Sequence, residues 1–135
     1  MSLIQWDESF SVNVVEIDLQ HKRLVEMLNE LYEAMTVGKG KDILGEVIDG
    51  LINYAVIHFQ TEEKYFAQFG YPQTESHKKE HSDFAKQVTE FKDNFAANKV
   101  NLSVDVMKFL SNWLRDHIKG SDKLYGPFFN EHGLK

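Results

Sequence analysis

The chain has 135 residues, of which 42% are hydrophobic and 27% are charged, the balance expected of one compact, soluble domain. Its formal net charge of −6 argues against nucleic acid or an anionic membrane surface as a partner, because both attract basic proteins. The sequence contains no cysteine, which excludes disulfides, iron–sulfur clusters, thiolate zinc sites and thiol catalysis. Any bound metal must therefore be held by nitrogen and oxygen atoms.

The first ten residues, MSLIQWDESF, have neither the basic start nor the apolar segment of a secretion signal. No apolar run approaches the roughly 20 residues that a membrane-spanning helix needs. We therefore expect a cytoplasmic protein with no membrane insertion, folded as a single domain over residues 1–135.

Four helices separated by short breaks are predicted along the chain. They extend from about Asp18 to Val37, from about Asp42 to Phe69, from Thr74 or Ser76 to about Asn98, and from just after Ser103 to about Lys119. Gly70 and Pro72 end the second helix, and Gly120 is expected to end the fourth. Short connections predict an all-α fold, an up-down-up-down four-helix bundle, with an N-terminal arm that Trp6 packs across the bundle end.

Apolar residues recur in alternating steps of three and four along each helix, as in the seam of a bundle. The predicted core series are Ile17, Leu24, Leu28, Leu31 and Met35; Leu51, Ala55, Tyr65 and Phe69; Phe84, Val88, Phe91 and Phe95; and Val106, Leu110 and Trp113. Six titratable residues occupy core positions in these same helices: His21, His58, Glu62, His77, His81 and His117. Because an unpartnered buried polar group costs several kcal/mol, these residues must be satisfied together.

The spacing and the topology bring these six side chains to one level of the bundle. Two pairs are four residues apart, His58 with Glu62 and His77 with His81, so each pair lies on one helix face about 40° apart. The first helix contributes His21 near its start and the fourth contributes His117 near its end. In an antiparallel bundle those places lie at the same end as the two pairs. The pattern predicts a metal site to which all four helices contribute.

Asp122 follows His117 by five residues, about 140° around an ideal helix, so a continuing helix would turn it away. A break or tightening of the helix at Gly120 would return Asp122 to the histidines. Alone, Asp122 would be interpreted as an exposed acid beyond a helix end. With the other six it becomes the seventh candidate ligand.

His21, His58-x-x-x-Glu62, His77-x-x-x-His81 and His117-x-x-x-x-Asp122 together resemble the ligand pattern of the hemerythrins, the bacterial hemerythrins in particular, with all seven positions filled. The resemblance extends from Trp6 to about Phe128. It implies a non-haem di-iron centre in which three histidines (His77, His81 and His117) bind one iron and two (His21 and His58) bind the other. Glu62, Asp122 and an oxo or hydroxo group would bridge the two irons, and the second iron would keep an open position for molecular oxygen.

The resemblance implies reversible oxygen binding, for transport, storage or delivery, and not an enzyme. Five imidazoles suit ferrous iron, whereas di-iron carboxylate enzymes use four Glu and two His. Trp113, Leu114 and Ile118 flank His117 and are candidates for the wall of the oxygen pocket, although simple core packing would explain them equally well. An oxygen or nitric-oxide sensor, a di-iron peroxidase or oxidase, and zinc or manganese in the same site are the alternatives. A monomer is expected because no long exposed apolar stripe remains.

Overall fold

The computed structural model describes residues 3–135, and Met1 and Ser2 of the predicted domain lie outside this range. Its α-helices are α1 (Val15–Thr36), α2 (Gly40–Phe69), α3 (Thr74–Ala96), α4 (Leu102–Trp113) and α5 (Asp122–Glu131). A 3-10 turn (Glu8–Phe10) precedes α1, and a π-helical segment (Leu114–Ser121) joins α4 to α5. The four-helix fold is confirmed. The predicted end of the fourth helix at Lys119 is wrong, because helical backbone continues through Gly120 to Glu131.

Helix α2 ends as its sequence predicts. Gly70 adopts a left-handed conformation with φ 70°, which a residue without a Cβ atom reaches at little cost. The backbone N–H groups of Gly70 and Tyr71 both donate to the carbonyl of Phe66, at 2.8 and 3.0 Å, so they satisfy a carbonyl that the ending helix leaves free. This turn lets α3 return antiparallel to α2.

Helix α1 packs against α2 and α4, and α2 also packs against α3. Two apolar clusters fill the interior. The large cluster includes Leu24, Leu28, Leu31, Leu51, Phe84 and Leu110. The small cluster consists of Val12, Val14, Ile17, Phe66, Tyr71, Tyr125 and Phe129. In α1, His21 lies between Ile17 of the small cluster and Leu24 of the large one, so a polar layer separates the two clusters.

The predicted core differs from the structure at a few positions. Phe95 is exposed by 38% because it lies over Gly45 on the outside of α2, where a glycine Cβ would come within 3.0 Å of the Phe95 ring. Tyr65 and Phe69 are only half-buried, whereas Phe66 is 1% exposed. The buried face of α2 thus continues one turn from Glu62 to Phe66, and the predicted series followed a neighbouring face.

The N-terminal arm is fastened to α1 and α5. Asp18 accepts hydrogen bonds from the Ser11 hydroxyl at 2.6 Å and from the Val12 N–H at 2.9 Å. Gly126 of α5 permits close approach, since a Cβ atom there would lie 2.7 Å from the Val12 carbonyl oxygen. Trp6 stacks on Phe10 with ring centroids 5.3 Å apart and packs against the large cluster.

Within residues 3–135, none of the helices combines the length and the apolar composition that crossing a membrane requires.

Candidate metal centre

All seven predicted ligand residues lie together in the polar layer, and none is more than 3% exposed. They are His21, His58, Glu62, His77, His81, His117 and Asp122. Their possible ligand atoms form two overlapping groups, each with all members within 4.8 Å of one another. One group contains Glu62 with the three histidines of α3 and the π-helical segment, and the other contains Glu62 and Asp122 with His21 and His58.

The π-helical segment explains how Asp122 reaches this layer. The N–H of Asp122 donates to the carbonyl of His117, five residues earlier, which is the hydrogen bond of a π-helix. This wider turn places residues five apart close to the same face. In an α-helix, residues five apart would lie about 140° apart around the axis. The expected break or tightening at Gly120 is therefore wrong, since the helix widens and continues.

The two oxygens of Asp122 face different histidines. Oδ1 lies 2.8 Å from His77 Nε2 and 2.9 Å from His117 Nε2. Oδ2 lies 2.9 Å from His21 Nε2. One carboxylate thus addresses both groups of ligand atoms, which is the arrangement a bridging ligand needs.

Glu62 also faces both groups, but through a single oxygen. Its Oε1 lies 2.8 Å from His81 Nε2 and 3.3 Å from His58 Nε2. The other oxygen, Oε2, accepts a short hydrogen bond from the hydroxyl of Tyr125, which is itself fully buried. Tyr125 therefore fixes the orientation of the Glu62 carboxylate.

The donor atoms of the layer fit a cation better than they fit one another. The Nε2 atoms of His77, His81 and His117 are buried and make no hydrogen bond of acceptable geometry, even though carboxylate oxygens lie within 3 Å. Glu62 Oε1 and both oxygens of Asp122 likewise have no hydrogen-bond partner among the described residues. Because the ligand atoms of each group also lie within 4.8 Å of one another, each group could hold a metal ion. Imidazole nitrogens and carboxylate oxygens suit first-row transition metals.

Electrostatics hold the two carboxyl groups in the ionised form. Burial would raise the pKa of Glu62, but the charge of His58 and the close approach of the imidazoles of His58, His77 and His81 hold that pKa well below its usual value. The pKa of Asp122 is lowered as well, because His117 and His21 outweigh burial and the charge of Glu62. Both side chains are therefore available as anionic ligands at neutral pH.

The histidines respond unequally to the same surroundings. Burial lowers the pKa of His58 despite the nearby charge of Glu62. Burial would also lower the pKa of His77 and His117, but Asp122 and Glu62 raise these values to about 10 and about 9. Without a cation, His77 and His117 therefore hold protons at neutral pH, and a metal must displace those protons to bind.

Outer side chains orient the imidazole rings from behind. The Nδ1 atom of His81 lies 2.9 Å from Glu63 Oε2, and that of His117 lies 3.0 Å from Glu80 Oε1. The Nδ1 atom of His58 lies 2.6 Å from Gln20 Oε1. When each Nδ1–H donates to its acceptor, Nε2 is left as the free nitrogen that faces the centre.

Aromatic rings line the layer on the side of the large cluster. Phe59 stacks on His81 and Trp113 stacks on His117, each with ring centroids 3.8 Å apart. Leu114 and Ile118 are buried in the large cluster. The three pocket candidates are thus all buried, and Trp113 is the one that stacks on a candidate ligand.

Several of these supporting residues were not predicted from the sequence. Gln20, Glu63 and Glu80 each precede or follow a candidate ligand by one residue, which is a weak signal because charged neighbours are common on helices. Tyr125 had a stronger signal, since it lies three residues after Asp122 and therefore on the same helix face. The hydroxyl of a core tyrosine needs a partner, and the buried carboxylate of Glu62 is a suitable one.

Comparisons with known proteins agree with this geometry. A family model described as "Hemerythrin HHE cation binding domain" matches residues 12–129. The Bacteriohemerythrin of Stenotrophomonas maltophilia is 36% identical over 132 residues, which cover 98% of this chain and 85% of that protein. The Bacteriohemerythrin of Methylococcus capsulatus is 35% identical over 128 residues, with 94% and 97% covered. The crystal structure of wild-type hemerythrin has a TM-score of 0.83 and 34% identity, covering 93% of this chain and 97% of its own. The chain therefore belongs to the hemerythrin family and is a metal-binding domain of that family.

Proposed function

We propose that this protein binds molecular oxygen reversibly at a non-haem di-iron centre and acts as a carrier or store of oxygen, not as an enzyme. The observation that carries the proposal is the two groups of buried imidazole and carboxylate atoms, each within 4.8 Å of one another, several of which have no hydrogen-bond partner among the described residues. The relatives named above bear the name of an oxygen-binding family, which supports the same function.

In this proposal, His77, His81 and His117 hold one iron, and His21 and His58 hold the other. Glu62 and Asp122 contribute to both positions, since their oxygens approach histidines of both groups. When bound, the iron pair would supply the two electrons that oxygen takes on binding and returns on release. The position with two histidines has one ligand fewer and is the one that would accept oxygen.

The protein's own contribution is orientation and the exclusion of water. The acceptors behind His58, His81 and His117 fix which ring nitrogen faces the centre. Trp113, Leu114 and Ile118 are proposed to wall the oxygen pocket, because they are buried beside His117 and offer apolar surface. A dry, apolar wall would keep protons and water from a bound oxygen ligand, and so would favour release over further reaction.

An oxygen-cycling experiment tests the proposal. The purified protein is loaded with ferrous iron under anaerobic conditions, and its visible charge-transfer absorption is followed while oxygen is added and removed repeatedly. We expect a band that appears with oxygen and disappears when oxygen is withdrawn, over several cycles. Irreversible conversion to a ferric form in the first cycle would contradict the carrier function and support an oxidase or peroxidase.

A pair of histidine variants shows whether the band arises at this site. His58→Ala removes a proposed ligand, so we expect lower iron content and no oxygen-dependent band. His132→Ala is the matched control, because His132 is an exposed histidine outside the layer. Retention of the full band in His58→Ala would contradict the ligand assignment.

The expectations of a monomer and of a cytoplasmic protein stay predictions.

A further inference from the structure

The hydrogen-bond partners behind the histidines are distributed unevenly between the two proposed metal positions. In the position held by His77, His81 and His117, two rings are backed by carboxylates. In the position held by His21 and His58, residues 3–135 provide no carboxylate acceptor for the Nδ1 atom of either ring. The asymmetry lies outside the ligand set itself and concerns Gln20, Glu63 and Glu80, to which the proposed function gives only the role of orienting the rings.

The two outer carboxylates of the three-histidine position, those of Glu63 and Glu80, each lie within hydrogen-bond distance of a ring. Glu63 Oε2 lies 2.9 Å from His81 Nδ1, and Glu80 Oε1 lies 3.0 Å from His117 Nδ1. Glu80 Oε1 also accepts a hydrogen bond from the Ser121 hydroxyl at 2.8 Å. The side chains of Glu63 and Glu80 are 34% and 38% exposed, so each retains contact with water while its acceptor oxygen reaches a buried ring.

The two-histidine position has neutral surroundings behind its rings. The Nδ1 atom of His58 faces the amide oxygen of Gln20, and the Gln20 amide in turn donates to the Thr61 hydroxyl at 3.1 Å. The Nδ1 atom of His21 is buried and has no hydrogen-bond partner in the part of the chain that the structure describes. On the Nδ1 side, therefore, neither ring faces a carboxylate of the described residues.

A carboxylate behind an imidazole strengthens the ring as a metal ligand, because it draws the Nδ1 proton and leaves more electron density on Nε2. The carboxylate also adds a negative charge close to the bound cation, and this charge attracts the cation. Partial exposure of Glu63 and Glu80 weakens this second effect through solvent screening.

We infer that the two metal positions fill in order, and that Glu63 and Glu80 are positioning residues that make the three-histidine position the first and tighter one. This inference rests on the proposed dinuclear site, but it is independent of iron as the metal and of oxygen binding. It predicts that a single bound cation occupies the position of His77, His81 and His117, and that the neutral Gln20 keeps the other position weaker.

Titration with Zn²⁺ tests the order directly, because Zn²⁺ has no redox chemistry to complicate the measurement. The metal-free protein is titrated while the imidazole NMR signals of the five candidate-ligand histidines are followed. Up to one equivalent, we expect the signals of His77, His81 and His117 to change first, and those of His21 and His58 to follow during the second equivalent. Simultaneous changes in both groups, or changes that begin with His21 and His58, would overturn the inference.

Variants that remove a charge and nearly keep the side-chain shape distinguish the effect of the outer carboxylates on metal affinity from the effect of the number of histidine ligands. In Glu63→Gln and Glu80→Gln, we expect the first dissociation constant for Zn²⁺ to rise about tenfold, the lower end of the range for outer-shell substitutions because both side chains are partly exposed. The second dissociation constant should change little. In Gln20→Glu, the second constant should fall, because His58 gains a carboxylate acceptor.

Glu90→Gln is the matched control, since it removes the same charge from an exposed position of α3. Glu90 lies ten residues after Glu80, about 15 Å further along the helix. Thermal unfolding of each metal-free variant reports whether the fold is intact. If Glu63→Gln and Glu80→Gln weaken both steps equally, or behave like Glu90→Gln, the inference is wrong. A chain that binds fewer than two Zn²⁺ in the wild-type form would instead contradict the proposed dinuclear site.

Discussion

The large apolar cluster and the polar layer beside it are equally buried, but they are stabilised in different ways. Leu24, Leu28 and Leu31 have no exposed surface, and neither have Glu62 and Asp122. The leucines stabilise the fold simply by leaving water, at roughly 25 cal/mol per Å². The polar layer instead buries ionisable side chains, several of whose atoms have no hydrogen-bond partner among residues 3–135, and burying such atoms opposes folding unless opposite charges or a bound cation satisfy them. We therefore expect the apolar cluster to supply most of the folding free energy, and the polar layer to make stability depend on pH and on a bound cation.

The largest expected effect comes from removing a ligand shared by both metal positions. In Glu62→Ala, the metal content should fall from two cations per chain to one or none, because Oε1 of Glu62 faces histidines of both groups. Metal analysis of the purified protein measures this. Glu90→Ala is the control and should keep both cations. Two cations in Glu62→Ala would show that the layer is not the binding site.

A substitution in the apolar cluster should have the opposite profile. Leu28→Ala should lower the free energy of unfolding by about 2–5 kcal/mol, because it creates a cavity in a fully buried region. Metal content should remain at the wild-type value. The two quantities are measured by denaturant unfolding and by metal analysis. A loss of cations in the folded variant would mean that the two regions are not separable.

The pH dependence sharpens the same comparison, because the polar layer titrates and the apolar cluster does not. The pKa values of His77 and His117 are raised from 6.5 to about 10 and about 9 in the metal-free protein. These two residues therefore stabilise the metal-free fold below pH 6.5, and this contribution is lost as the pH rises from 6.5 to about 10. The lowered pKa values of Glu62 and Asp122 act in the other sense, since their contribution is lost in acid.

Metal binding should follow the reverse pH trend, since a cation displaces the protons of His77 and His117. The apparent affinity for Zn²⁺ should rise by about tenfold per pH unit for every proton displaced, up to the pKa of the group concerned. Calorimetric titrations at several pH values, in buffers of different ionisation enthalpy, measure both the affinity and the number of protons released. An affinity independent of pH between 6.5 and 8.5 would contradict the raised pKa values.

The smallest expected effect comes from the contact between the small cluster and the polar layer. Tyr125→Phe removes a hydrogen bond to the buried Glu62 carboxylate, which should cost about 1.5–3 kcal/mol of unfolding free energy. Tyr71→Phe is the control from the same cluster and should cost less, because Tyr71 makes no such bond to a ligand candidate. Equal losses in the two variants would remove the assigned role of Tyr125.

Much of this architecture could be predicted because its causes are local and periodic. The steps of three and four in α1, the glycine stop after Phe69 and the four-residue spacing of the histidine pairs all follow from helix geometry. Convergence of the ligand candidates followed from the antiparallel topology. These features can be predicted from a single sequence.

The remaining features depend on contacts between distant parts of the chain. The widened helix turn at Leu114–Ser121, which places Asp122 in the layer, could not be predicted because a π-helix has no distinct sequence pattern. The outer partners Glu63 and Glu80 resemble ordinary surface acids until the fold places them behind His81 and His117. Phe95 had the right spacing for the core but lies over Gly45 on the outside of α2, where it stays partly exposed.

The most direct test of the central claim is a crystal structure of the iron-loaded protein with anomalous diffraction measured at the iron absorption edge. Two anomalous peaks should lie inside the polar layer, one bounded by the Nε2 atoms of His77, His81 and His117 and one by those of His21 and His58. Glu62 and Asp122 should contact both peaks. A well-ordered protein with no anomalous peak in this layer, or with its iron bound elsewhere, would contradict the claim.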